Sequence, residues 1–152
     1  MSKSKIKFSG AVRVFVYGTL KPGEANYKKY CAGKLVNAQR AMALGKLFAL
    51  PVGYPAMTLG DTFVQGYLLS FADSENLTEL DQLEDYQTTR QKSENLYNRE
   101  QIEIFNLDWL SLGQAWVYLM TLDRVHQLVG VPQLDGWWSG CGLTPNKAQS
   151  CD

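Results

Sequence analysis

Segments that favour β-strands outnumber helical segments in this chain of 152 residues. They are rich in β-branched and aromatic residues and are bounded by Gly, Pro, Asn or Asp, as is typical of strands joined by turns. Only one segment has a long helical period, which disfavours alternating βαβ units and predicts an α+β fold with a mostly antiparallel sheet. The strand candidates are residues 12–17, 36–50 (one long strand or two short ones), 62–71, 97–107 and 112–122.

Gly66 interrupts the strand candidate at 62–71. A glycine inside a strand marks a bulge or a place where another backbone approaches closely. Either feature suits a strongly curved sheet, so this position hints at a barrel.

Residues 73–86 form the clearest helix, with an apolar stripe of Leu77, Leu80 and Leu83. At about 100° per residue, Glu84 falls about 20° from Leu77 and therefore within this stripe. A carboxylate on an apolar helix face either pairs with a cation or has a raised pKa suited to proton transfer.

The pattern alone leaves both interpretations of Glu84 open. Arg99 and Lys21 are the candidate partners if the carboxylate forms an ion pair. Tyr17–Leu20 supplies a second candidate feature, because a turn after a strand can present successive backbone N–H groups to an anion. Most glycines that follow a strand, as Gly18 does, mark only a turn, so this pattern alone leaves the anion site open.

Composition limits the classes of function. The 15 basic and 15 acidic side chains cancel, so no overall field attracts nucleic acid or an anionic membrane. The widely spaced cysteines 31, 141 and 151 and the lone His126 predict neither disulfides nor a metal site. The first ten residues lack a signal-peptide core, so a cytoplasmic location is predicted. We expect one domain over 1–152, with its core at about 12–122 and loosely ordered termini.

Three motifs occur together in this order: Y-G-T-L at 17–20, L-D-x-x-E at 80–84 and L-Y-x-R at 96–99. Together with the strand residues before the first motif, they resemble the γ-glutamylcyclotransferase-like family, which includes γ-glutamylamine cyclotransferases and AIG2-like proteins. The resemblance runs from about Val12 to Leu122.

The resemblance implies a small, mostly antiparallel β-barrel flanked by a few helices. It implies an enzyme of the lyase or acyltransferase class that cyclises the γ-glutamyl group of a γ-glutamyl amine or amino acid to 5-oxoproline and releases the amine. No metal or cofactor is expected, and the partner is a small-molecule substrate. The roles carried over are Glu84 as the catalytic acid and base, with Tyr17, Gly18, Thr19, Leu20 and Tyr97 as substrate-binding residues.

Two departures from the family pattern accompany the resemblance. Asp85 stands where much of the family has glycine, and its charge is expected to raise the pKa of Glu84. The polar stretch 87–95 is expected to be an exposed loop that forms a lid or narrows the pocket mouth. One alternative is a catalytically inactive binding or regulatory module, favoured if Glu84 lies outside the pocket or pairs with Arg99. Another is an interaction protein that uses the basic first segment, residues 1–46 with ten Lys and Arg and one acidic residue, or the pair Trp137–Trp138.

Overall fold

The computed structural model describes residues 11–145, which form an α+β fold of six strands and three short helices. The α+β prediction is confirmed. In chain order the elements are β1 (Val12–Val16), α1 (Tyr27–Tyr30), β2 (Leu35–Ala49), β3 (Pro55–Phe71), α2 (Glu75–Leu83), a 3-10 turn (Lys92–Glu94), β4 (Asn98–Phe105), β5 (Ser111–Leu119), α3 (Leu122–Gln127) and β6 (Val131–Pro132).

The described strands pair in a ring. β1 is antiparallel to β3, β3 to β2, β2 to β4, and β4 to β5. β5 returns to β1 in a parallel contact at Val14 and Trp116, and β6 pairs with the end of β2. The β2–β4 contact involves only two residue pairs. The sheet is therefore mostly antiparallel and barrel-like, as predicted.

β1 is buried on both of its faces, because alternate side chains enter different apolar clusters. Val14 and Val16 pack in a cluster that includes Leu80 of α2. Phe15 packs in a second cluster with Ile104, inside the curved sheet. The end of β1 is thus held between two layers, and so is the start of the loop that follows it.

Gly66 lies where the backbone of β3 passes that of β1. A Cβ atom at this position would be 2.1 Å from the backbone oxygen of Val16, a distance that no side chain can accommodate. The predicted close approach of another backbone is confirmed, and it allows the sheet to curve at this point.

β3 is longer than the sequence predicts, since it begins at Pro55 rather than at Thr62. Proline is tolerated as the first residue of a strand, where its missing N–H removes no central ladder bond. Pairing with β2 is found on both sides of a register shift between Leu44 and Lys46, and residues 59–62 have no partner in β2. Gly60 lies at this register shift, inside β3. Glycine is more typical of a turn than of a strand interior, which is why the local sequence does not predict that the strand continues through it.

The segment after β5 contains α3 and the short β6, neither of which the sequence predicts. Trp137 and Trp138 are buried there. The prediction of no disulfide was wrong, because Cys141 is disulfide-bonded. An odd cysteine count excludes full pairing but not one bond, and Cys31 is a buried free thiol.

Within residues 11–145 no helix is long and apolar enough to cross a membrane. The expectation of loosely ordered termini falls on residues 1–10 and 146–152, which lie outside the described residues. The prediction of a single domain over 1–152 stays a prediction.

Candidate active site

The loop after β1, the end of α2 and the segment leading into β4 meet around a pocket of about 180 Å³. The structure brings all the predicted site residues together in its lining, although their roles stay predictions. These residues are Tyr17, Gly18, Thr19, Leu20, Glu84 and Tyr97.

The loop after β1 presents a row of free backbone donors. The N–H groups of Gly18, Thr19 and Leu20 donate no hydrogen bond to any of the residues that the structure describes. Gly18 packs so closely against Pro55 that an added Cβ would lie 2.5 Å from the proline Cγ. The loop therefore fits an anionic ligand oxygen, and its glycine position accepts no larger residue without a shift.

Helix α2 ends at the predicted catalytic residue. Glu84 is its C-cap, and Asp85 follows with a φ of 55°. The N–H of Asp85 donates to the backbone oxygen of Gln82 at 3.3 Å, and that of Tyr86 donates to the oxygen of Asp81 at 2.9 Å. This is a Schellman arrangement, in which glycine is the usual residue at the left-handed position. It explains why the predicted helix, 73–86, is shorter in the structure.

Glu84 has a carboxyl group that is suited to proton transfer. Burial raises its pKa from about 4.5 to about 7. Its side chain has neither an ion pair nor a hydrogen bond within residues 11–145. A carboxyl group with this pKa exchanges protons readily near neutral pH.

Both proposed cationic partners of Glu84 are engaged elsewhere. Arg99 forms an ion pair with Asp81, with 2.7 Å between Nη1 and Oδ2. Lys21 lies 3.7 Å from the carboxylate of Glu24. The ion-pair interpretation of Glu84 is therefore wrong, and neither condition that would favour an inactive module is met.

Asp85 does not act as the sequence suggests. Its carboxylate accepts a hydrogen bond at 3.0 Å from Arg90, which also donates to its backbone oxygen at 2.7 Å. Burial raises the pKa of Glu84, and the charge of Asp85 is not the cause. The polar stretch 87–95 is mostly exposed, as predicted, and contains the 3-10 turn.

Three tyrosines in the lining donate their hydroxyl protons to protein acceptors. Tyr17 donates to the backbone oxygen of Tyr118 at 2.6 Å, Tyr118 donates to Asp81 at 2.7 Å, and Tyr97 donates to the backbone oxygen of Pro55. Burial raises the pKa of each hydroxyl, so all three stay protonated. Because each proton is already used, the oxygens can only accept hydrogen bonds from a ligand.

Lys21 joins the loop to the segment after β6. Its side chain is completely buried, donates to the backbone oxygen of Trp138 and lies 3.6 Å from the ring centre of Trp137. Glu24 accepts a hydrogen bond from the N–H of Gly140 at 3.0 Å. Burial lowers the pKa of Lys21 to about 8. These contacts tie the loop to the segment after β6.

Several residues of the pocket lining carry no distinguishing sequence pattern. Tyr118, Tyr54 and Asn26 belong to the pocket, and Tyr118 comes from an alternating strand whose pattern does not distinguish a pocket residue from a core residue. The signal for Asn26 is its place in a polar stretch only six residues after the Y-G-T-L loop. Within residues 11–145 no group of three or more His, Cys, Asp and Glu side chains is placed to hold a metal ion.

Comparisons with known proteins agree with this geometry. The family model described as gamma-glutamyl cyclotransferase, AIG2-like, matches residues 14–140. A gamma-L-glutamyl-butirosin B gamma-glutamyl cyclotransferase of Niallia circulans is 31% identical over 105 residues, which cover 69% of this chain and 65% of that protein. A putative gamma-glutamylcyclotransferase of Vibrio cholerae is 31% identical over 117 residues, covering 76% of this chain and 89% of that one.

The fold has a counterpart in a solved structure. An AIG2-like protein of Mus musculus superposes with a TM-score of 0.60 at 22% identity, covering 91% of this chain and 99% of the mouse protein. At this identity the likeness concerns the fold alone. The match to the family model over most of the chain, the relatives at 31% identity and the shared fold establish that the chain belongs to the gamma-glutamyl cyclotransferase, AIG2-like family.

Proposed function

We propose that this protein is an enzyme that cyclises the γ-glutamyl group of a γ-glutamyl amine or amino acid to 5-oxoproline and releases the amine. The observation that carries the proposal is Glu84, whose unpaired carboxyl group lines the pocket with a pKa raised to about 7. Neither a metal ion nor a cofactor takes part in the proposed reaction, and the proposed location is the cytoplasm.

The chemistry requires proton transfer at two nitrogen atoms. The α-nitrogen of the substrate attacks its own γ-carbon, and the bond from that carbon to the leaving nitrogen then breaks. A substrate that starts with an α-ammonium group loses two protons there, and the released amine leaves as an ammonium ion. The first of these protons goes to solvent before attack. Glu84 accepts the second from the α-nitrogen and delivers it to the leaving nitrogen, so one carboxyl group serves as base and then as acid. The released amine takes its other proton from solvent.

The remaining requirement is to hold the flexible glutamyl chain in a shape that allows ring closure. In our proposal the free N–H groups of Gly18, Thr19 and Leu20 bind the α-carboxylate. The hydroxyl oxygens of Tyr97 and Tyr17 accept hydrogen bonds from the α-nitrogen. Donors thus face the α-carboxylate and acceptors face the α-nitrogen, so the glutamyl group can bind in only one orientation.

The test measures release of 5-oxoproline by mass spectrometry from a panel of γ-glutamyl amines, γ-glutamyl amino acids and glutathione. Glu84→Gln removes the carboxyl group with little change in shape, and we expect a loss of at least about 100-fold in rate. Glu79→Gln is the matched control, because Glu79 lies on the same helix but is exposed and paired with Lys34 at 2.9 Å. We expect this control to keep full activity.

The outcomes separate the proposed enzyme from a binding module. Release that needs Glu84 supports the cyclisation and identifies the substrate branch. No release from any member of the panel by the folded protein, together with tight binding of 5-oxoproline, favours the inactive module. Release that persists in Glu84→Gln overturns the assigned role of this residue.

A further inference from the structure

Asn26 holds Thr19 by two hydrogen bonds. The backbone N–H of Asn26 donates to the backbone oxygen of Thr19 at 2.9 Å, and the side-chain Nδ2 donates to Thr19 Oγ1 at 2.9 Å. Both residues line the pocket. The resemblance to the family assigns a role to Thr19 but none to Asn26.

This contact determines the direction of the Thr19 hydroxyl group. An amide nitrogen can only donate, so Thr19 Oγ1 is the acceptor in its bond with Asn26. The hydroxyl proton is therefore directed elsewhere, and it reaches no acceptor among residues 11–145. The free proton belongs to the same loop as the free backbone N–H groups, so Thr19 offers two donors to a ligand, its hydroxyl and its backbone N–H.

We propose that Asn26 is a positioning residue, which directs the Thr19 O–H proton to a carboxylate oxygen of the bound ligand. The inference rests on the proposed function, because that function identifies the ligand as a glutamyl group or 5-oxoproline. It adds a side-chain donor to the backbone donors of the loop, and it explains why the pocket places an amide beside a threonine.

The inference predicts that an amide, and not a carboxylate, is required at position 26. A carboxylate has the same shape but can only accept. In Asn26→Asp the Thr19 hydroxyl turns to donate to the new carboxylate, and its proton is lost to the ligand. The added negative charge also repels an anionic ligand, so charge must be separated from hydrogen bonding in the test.

A double-mutant cycle makes this separation. The probe is 5-oxoproline, titrated by calorimetry into the wild-type protein, Asn26→Asp, Thr19→Val and the double variant. We expect Thr19→Val to weaken binding about tenfold and Asn26→Asp about 30-fold, as for loss of a hydrogen bond to a charged group. In the Thr19→Val background Asn26→Asp should weaken 5-oxoproline binding only about threefold, because only the repulsion between the new carboxylate and the anionic ligand then remains.

An equal factor for Asn26→Asp in both backgrounds overturns the inference, since Asn26 then acts independently of Thr19. If Asn26→Asp unfolds, Asn26→Ala takes its place in the cycle, and its effect should disappear in the Thr19→Val background. Wild-type protein that binds no 5-oxoproline and turns over no γ-glutamyl substrate overturns the proposed function and the inference with it. Binding with an additive cycle overturns the inference alone.

Discussion

Replacement of Glu84 by glutamine should stabilise the folded protein while it abolishes activity. The carboxyl group has a pKa of about 7 in the folded state, against an ordinary value of about 4.5. The folded protein therefore binds more protons than the unfolded chain between these pH values, and its free energy of unfolding falls as pH rises through this range. Glutamine does not titrate, so the variant lacks this loss.

The size of the effect follows from the two pKa values. A difference of about 2.5 between them corresponds to about 3 kcal/mol once both states are fully ionised. Between pH 5 and pH 8 the change is about 2.5 kcal/mol, because some unfolded chains are already ionised at pH 5. Glu84 is only partly buried, so we reduce the expected value to about 2 kcal/mol, or about 4–8 °C in Tm.

The assay is urea unfolding of the wild-type protein and Glu84→Gln at pH 5 and pH 8. We expect the stability advantage of the variant to grow by about 2 kcal/mol between the two pH values. Glu79→Gln serves as control, and its difference from wild type should change by less than about 0.5 kcal/mol, as for an exposed ion pair. An advantage of Glu84→Gln that is the same at both pH values would refute the reasoning, and so would a variant that is less stable at pH 8.

Two further predictions concern the residues that hold the site in place. Asp85→Gly should raise the free energy of unfolding, measured in urea, by about 0.5–1 kcal/mol, because the φ of 55° at Asp85 suits glycine. Asp85→Ala should lower the free energy of unfolding. An alanine variant more stable than the glycine variant would contradict this explanation. Lys21→Met should destabilise the protein by about 1–3 kcal/mol, because the buried backbone oxygen of Trp138 loses its donor and the Glu24 carboxylate loses one cation. The double variant Lys21→Met/Glu24→Gln should recover much of this loss in the same assay, and no recovery would count against the ion pair.

Local patterns predicted a large part of the fold. β-branched runs located β1, β4 and β5 within a few residues, because a strand buried on one or both faces needs apolar side chains at a fixed period. The same patterns placed the beginning of β3 too late. Gly60 has the local character of a turn, and only the long pairing with β2 carries the strand past it.

The site shows a similar division. The position of Glu84 within the stripe of Leu77, Leu80 and Leu83 distinguished this carboxylate from its exposed neighbours on the helix. The pattern could not decide whether Glu84 pairs with Arg99. That question depends on Asp81, which lies on the same helix and forms the ion pair with Arg99, with 2.7 Å between Oδ2 and Nη1.

The sequence by itself determined the order of β1 to β5 and the place of α2 among them, the family, and six of the residues that meet in the pocket. Only the tertiary structure decided the properties of those residues. Burial of the Glu84 carboxyl, the hydroxyl protons of Tyr97 and Tyr118, and the bond from Asn26 to Thr19 all depend on groups that packing brings together. Solvent exclusion and the choice of hydrogen-bond partner are set by three-dimensional neighbours, so a local pattern cannot specify them.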